Sequence, residues 1–434
     1  MSRPTTTDPT SPSPVVVVTE GRAPASVEQR VFWLSWLSYF SYYFTRSNFS
    51  VAKKPMQLEL GLSKDDLKYI DLASLSAYCV GQFVHGAIGD ALGPRRLVVL
   101  GMLASAVCSV LFGLNSILSV FILLWAVNGF VQATGWPGNG KLMASWFDTR
   151  TRGERMGVWS TCYQAGGVAA KLLATALLVY GWRMSFLGPA LWVVVVAGAF
   201  WLVIRDRPSE LGYRDPEIKA GLSKEELARL RREAWPVVLK NIRVWCLGIT
   251  YFFMKLMRYA FIYWLPFYLA EAYKYDAAKA GYVSIAFDAG GIPLVIFAGF
   301  MADRLLGRRR IATAAFWCFA LCGALALYRV IGDDGLGWNI LGLSLVGGTL
   351  FAADSLVSGS ASQDIGGAHA SALACGVVNG VGSIGGIVQA FTTVWISDTY
   401  GWDALFQVFM ALAFLSALPL LPFLRVRPQV VETT

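Results

Sequence analysis

Apolar stretches of roughly twenty residues recur along the chain, separated by short polar runs. Twenty residues of α-helix rise about 30 Å, the thickness of a bilayer's hydrocarbon core. Twelve such stretches are read, over about residues 30–50, 68–90, 96–115, 118–143, 155–180, 183–205, 244–272, 278–303, 310–332, 336–360, 368–396 and 402–425. The pattern predicts an all-α membrane protein. Residues 1–27 are rich in Pro, Thr and Ser, with no basic-then-apolar signal pattern, and are expected to be a disordered tail. A second short tail is expected over 427–434. The one long polar segment, 206–243, lies between the sixth and seventh stretches. It holds Ser223-Lys-Glu-Glu226, a capping-box pattern, then Leu227, Leu230 and Trp235 among charges. That predicts an amphipathic helix on the membrane surface, linking bundles over 28–205 and 244–426.

The two bundles repeat each other. Gly89-Asp90 with Arg95-Arg96 follows the second stretch, and Ala302-Asp303 with Arg308-Arg309 follows the eighth. Asp90 to Asp303 and Arg96 to Arg309 are both 213 residues, and Arg46 to Arg258 is 212. Gly166-Gly167 in the fifth stretch recurs as Gly385-Gly386 in the eleventh. Two six-helix pseudo-symmetric halves joined by a loop are the plan of a transporter that rocks about a midplane site. Asp90, Arg96, Asp303 and Arg309 are read as gating residues of that rocking motion.

Composition sharpens this picture. Hydrophobic residues make up 56 % of the chain, charged residues only 15 %, and mean hydropathy is +0.52. Soluble domains carry roughly 25 % charge. A net charge of +9 alone would admit a nucleic-acid binder. The loops decide otherwise: nineteen Lys/Arg fall in or at the edges of loops 2–3, 4–5, 8–9 and the central loop, against eight in or at the edges of loops on the other side. The positive-inside rule then places the first set and both termini in the cytoplasm. Compact loops and short tails point to a bacterial inner membrane. All seven cysteines lie in apolar stretches without metal-ligand spacing, and two histidines are too few for a metal centre. No cofactor is expected, no enzymatic dyad is visible, and a monomer in the lipid bilayer is anticipated.

Charges inside apolar stretches are costly and mark function. Tyr39, Tyr43 and Arg46 follow one another at helical spacing in the first stretch, and Lys255 and Arg258 share a face in the seventh. Guanidinium presents a fixed donor fork that matches phosphate oxygens two at a time. Two such forks from opposite halves would clamp one dianion. Lys171, Tyr163 and Gln164 in the fifth stretch, Gln82 in the second and Asn379 in the eleventh are further lining candidates, with Ser383 beside Asn379. Asp288 in the eighth stretch is read as a partner of Arg258 or Lys255, and Asp354 in the tenth as a lone carboxylate able to carry a proton; both are assigned to coupling or gating. His85 is expected to pack. Gly135-Trp-Pro-Gly-Asn-Gly140-Lys141 imitates a nucleotide-binding loop, but Leu142 replaces the magnesium-binding hydroxyl, and the segment ends a membrane helix.

These motifs resemble the major facilitator superfamily. The Gly89-Asp90…Arg95-Arg96 and Asp303-Arg304…Arg308-Arg309 loops carry that likeness. Tyr43-Phe-Thr-Arg46-Ser-Asn48-Phe, Gly135-Trp136-Pro137-Gly-Asn-Gly140, Trp159 with Gly166-Gly167, and Arg258-Tyr259 followed by Trp264-Leu-Pro266 narrow it to the organophosphate:inorganic phosphate antiporters. The resemblance implies the major facilitator fold over about residues 30–425, phosphate binding by Arg46 and Arg258, and Asp288 as the family's acidic residue before Gly-Ile-Pro. The glycerol-phosphate type carries Lys in place of Gln82 and a substrate-binding His in place of Tyr163. Lys255 and Phe287-Asp288-Ala-Gly-Gly look more like the eukaryotic sugar-phosphate exchangers. The phosphate clamp therefore carries over and the polyol or sugar end does not. The expected activity is exchange of an organic phosphate for inorganic phosphate by rocker-switch alternating access. Its rival is a proton symporter of a carboxylate or phosphonate, with Asp288 or Asp354 carrying the proton.

Overall fold

The computed structural model describes residues 21–147, 155, 158–159, 161–215, 236, 238–307 and 309–425. Among them the regular structure is helical, apart from one isolated bridge between Arg22 and Arg214. The first half contains α1 (Ala25–Tyr42), α2 (Asn48–Leu60), α3 (Lys64–Leu92), α4 (Pro94–Gly113), α5 (Leu118–Gln132), α6 (Gly135–Trp146), α7 (Thr161–Leu177) and α8 (Met184–Val203). The second contains α9 (Ile242–Ala272), α10 (Ala277–Phe300), α11 (Arg310–Ile331), α12 (Leu336–Ser355), α13 (Ser362–Thr399) and α14 (Gly401–Ala417). Because α1 with α2, and α5 with α6, are each one broken rod, these helices make twelve spans. Nine stretches among the described residues are long and apolar enough to cross a bilayer. The other three, α1–α2, α3 and α9, are those that hold Lys53, Asp71, Lys255 and Arg258 in their interiors.

Pairing of the spans repeats between halves. In the first half α1 lies on α7, α3 on α5 and α4 on α8. In the second, α9 lies on α13, α10 on α12 and α11 on α14. The two double-glycine motifs explain part of this. A Cβ on Gly166 would come within 2.6 Å of the Phe40 carbonyl oxygen, and a Cβ on Gly385 would collide with the Phe252 carbonyl. Each glycine thus lets two helix backbones touch. The touching point lies six residues before Arg46 in one half and six before Arg258 in the other. Large apolar side chains such as Leu123, Leu202, Ile296 and Val330 are exposed around the outside, as a lipid-facing surface requires.

Several boundaries differ from expectation. The first helix starts earlier than expected: α1 begins at Ala25, and Arg22 pairs with Glu28 at 3.3 Å while its backbone bridges to Arg214. The first span runs on to Leu60, because Asn48–Leu60 continues the rod beyond a short break. The fourth span breaks at Ala133–Thr134, so the glycine-rich motif is itself helical and begins a second half-span. The amphipathic helix expected over Ser223–Trp235 and the tail 427–434 lie outside the described residues.

Candidate substrate site

The first span breaks without proline or glycine. After Tyr42 the chain makes one 3₁₀ turn, Tyr43–Thr45, and resumes as α2 at Asn48. Breaking a helix frees backbone carbonyls, and in a membrane they need partners. Two amides on α5, one turn apart, supply them. Gln132 Nε2 donates to the Tyr42 carbonyl at 3.0 Å and to Thr45 Oγ1 at 2.9 Å, and Asn128 Nδ2 donates to the Thr45 carbonyl at 2.9 Å. Ser105 completes the cluster, donating to Asn128 Oδ1 at 2.6 Å. Side chains inserted into the ladder are the physical cause of this kink.

Arg46 sits inside the break. Its Nε donates to Gln132 Oε1 at 3.1 Å, and its guanidinium lies 4.9 Å from the Tyr43 ring centre and 5.1 Å from that of Tyr78. Its Nη2 is buried without a hydrogen-bond partner. Among the described residues, Arg46 is held by neutral groups only. Aromatic faces and an amide steady a cation without cancelling its charge.

Arg258 faces the same cavity from the other half. That cavity is lined by Tyr43, Arg46, Ser74, Tyr78, Asn128, Gln132, Arg258, Tyr259 and Tyr263, with apolar neighbours between them. Asp354, expected to be a lone carboxylate, is in fact ion-paired: Arg258 Nη1 donates to both of its oxygens at 3.1 Å. Arg258 Nε is buried and, among the described residues, unpartnered. Lys255, one turn earlier, donates to Ser383 Oγ at 3.1 Å and Asn379 Oδ1 at 3.3 Å, and lies 4.8 Å from the Tyr251 ring. Its described partners are neutral too.

Asp288 pairs with neither Arg258 nor Lys255. It accepts from Lys171 Nζ at 2.6 Å, so the sequence expectation is corrected for both residues. Both side chains are buried, and the pair joins α7 of one half to α10 of the other. Tyr39 is buried among Tyr42, Tyr43, Trp136 and Trp159 rather than lining the cavity. Tyr163 and Gln164 on α7 and Gln82 on α3 are half-buried and also stand outside the lining. The side chains of Asp90 and Asp303 lie outside the described set. Arg96 is exposed and Arg309 half-buried. Between Arg96 and the rest of the bundle, Arg95 does the anchoring: its backbone N–H donates to Asp206 at 2.7 Å and its guanidinium covers the Trp201 ring at 4.0 Å. His85 packs against Phe130 with ring centres 4.6 Å apart.

One charged pair escaped sequence reading altogether. Lys53 falls where a loop was expected, yet it is fully buried on α2, paired with Asp71 of α3. Its Nζ also reaches the Tyr263 carbonyl of the other half at 2.9 Å and the Trp264 ring at 3.9 Å. Nearby, Lys64 binds both Glu271 and Asp398 at 2.8 Å, and Lys54 and Trp402 also contact Glu271. These contacts tie the two halves together at the end carrying the α2–α3, α9–α10 and α13–α14 turns. The signal for Lys53 was its spacing, seven residues past Arg46.

Comparison with known proteins agrees with this architecture. The Major Facilitator Superfamily profile matches residues 35–390. A relative in the glycerol-3-phosphate transporter series of Arabidopsis thaliana is 31 % identical, over 89 % of this chain and 84 % of its own. The "Probable hexose phosphate transport protein" of Chlamydia trachomatis is 27 % identical, over 91 % and 90 %. Among solved structures, a bacterial homolog to the human lysosomal transporter Spinster, in an inward-facing and occupied conformation, superposes with a TM-score of 0.69 at 15 % identity, over 93 % of this chain and 95 % of that one. The chain is an integral membrane transporter, not an enzyme, and belongs to the Major Facilitator Superfamily and, within it, to the organophosphate:phosphate antiporter family.

Proposed function

We propose that the protein exchanges an organic phosphate, of the glycerol-phosphate or sugar-phosphate class, for inorganic phosphate. One observation carries this reading: among the described residues, Arg46 offers a buried, unneutralised guanidinium with an unpartnered Nη2, in a cavity that Arg258 enters from the opposite half. An unpaired buried cation is costly unless an anion completes it. A phosphoryl group, with several acceptor oxygens, fits two forks at once. The names of the relatives, glycerol-3-phosphate and hexose phosphate transporters, point to the same substrate class.

Exchange needs no ATP in this reading. An empty site leaves like charges facing one another, so the halves resist closing over it. Either phosphate relieves that repulsion and draws the halves together, so only loaded protein reorients. A ligand shifts such an equilibrium by its differential affinity for the two states. The end sealed by Lys53, Lys64 and Glu271 is taken as the outer end, with both termini cytoplasmic and the protein a monomer in a bacterial inner membrane. In purified protein, phosphate and phosphate esters should raise the unfolding temperature, since ligands of the native state stabilise it. Arg46→Lys and Arg258→Lys should each remove that shift and abolish transport in vesicles. A lysine variant with normal transport would refute the clamp.

A further inference from the structure

The two arginines have unlike resident partners. Arg46 of the first span leans on Gln132 of the fourth, a neutral amide at 3.1 Å. Arg258 of the seventh span, its counterpart in the repeat, leans on Asp354 of the tenth, a carboxylate at 3.1 Å. The first-to-fourth and seventh-to-tenth relations are the same in the pseudo-symmetric plan, so the site has one neutral and one anionic holder. The Asp354 carboxylate is nearly buried, at 8 % exposure, and it engages a single nitrogen of Arg258 with both oxygens. That is a weaker arrangement than two parallel bonds to the guanidinium fork. Arg258 Nε stays buried and unpartnered beside it.

We propose that Asp354 is a built-in counter-anion that occupies Arg258 when substrate is absent and competes with the phosphoryl oxygens for it. Resting on the clamp reading above, this assigns Asp354 a part in setting how tightly phosphate binds and how fast it leaves. Three cations, Arg46, Lys255 and Arg258, stand against Asp354, so the described group carries a net two positive charges, which one phosphate dianion balances. Without the carboxylate the site would hold the dianion with excess charge and release it slowly. The chain also gives Asp354 a way to move aside. Immediately after α12 it enters a π-helix, Leu356–Ala361, and Ser358 Oγ donates to the Asp354 carbonyl at 2.7 Å. Wide π turns are frequent at functional sites, where a helix changes register locally.

The test is Asp354→Asn in purified protein and in vesicles, with inorganic phosphate as the probe. The amide keeps the shape and one acceptor but removes the competing charge. Phosphate should bind about tenfold or more tightly, the scale of one charge-assisted hydrogen bond. Maximal exchange should fall, so affinity and turnover move in opposite directions. Asp354→Glu should restore wild-type affinity. A merely structural Asp354 predicts the reverse, with affinity and turnover lost together, and that result overturns the proposal. Asp354→Ser provides the same reading if the asparagine variant does not fold. Arg46→Lys and Arg258→Lys are measured alongside. If they leave phosphate binding intact, the clamp itself is wrong. If they abolish it while Asp354→Asn binds no tighter than wild type, only the competition is wrong.

Discussion

The arginines were legible because charge is rare in this chain's apolar stretches. Their partners were not. Asp354 lies 96 residues from Arg258, and Asp288 lies 117 from Lys171, so only the fold could match them. Gln132 and Asn128 are neutral and sit in an otherwise apolar helix, where nothing flags an amide as a carbonyl's partner. Gln132 nonetheless serves both the broken helix and Arg46. Gln132→Leu should therefore destabilise the protein by about 1–3 kcal/mol for each buried group left unpaired, and also weaken phosphate binding. Thermal unfolding and phosphate titration of the purified variant check this; an unchanged midpoint would count against the amide's role. Lys53 gives a second case. Lys53→Met leaves Asp71 as an uncompensated buried charge, a loss of about 3–5 kcal/mol. The double variant Lys53→Met with Asp71→Leu should recover most of it, and an equally unstable double variant would show that the pair's charge is not what matters.

Elements were read well in number and poorly in continuity. Twelve spans follow from length and hydropathy, but the break at Tyr43–Thr45 has no proline or glycine to announce it, while that at Ala133–Thr134 is marked only by the Gly135-Trp-Pro137 that follows it. The first break exists because Gln132 and Asn128 of a neighbouring helix satisfy the freed carbonyls, a tertiary effect; the second lies four residues before Pro137, which has no N–H for the Ala133 carbonyl. The repeat of Gly166-Gly167 as Gly385-Gly386 was visible as a pattern, and its purpose is now steric. Gly385→Ala should push α13 away from α9 just before Lys255 and Arg258, costing about 1–3 kcal/mol as overpacking does. Phosphate affinity should drop with it. Unfolding and binding measurements on this variant, beside Gly376→Ala, which meets open space, separate a packing effect from a general intolerance of alanine on α13.

For the whole molecule, the internal repeat foretold two pseudo-symmetric bundles, and the pairing of helices follows it span by span. What breaks the symmetry is chemistry between the halves: Lys171 with Asp288, Lys53 with the Tyr263 carbonyl, and Lys64 with Glu271 and Asp398. If these contacts hold one end shut during the cycle, Lys171→Asp or Asp288→Lys alone should cut exchange about tenfold or more, because each buries like charges together. The charge-swapped double variant should regain part of it, and no recovery would mean that the pair does not join the halves in working protein. In the proposed exchange cycle, only a phosphate-loaded protein reorients. Counterflow in proteoliposomes is the decisive measurement. Labelled phosphate should enter vesicles preloaded with phosphate or a phosphate ester and stay out of empty ones. Uptake into empty vesicles driven by a pH gradient would contradict it.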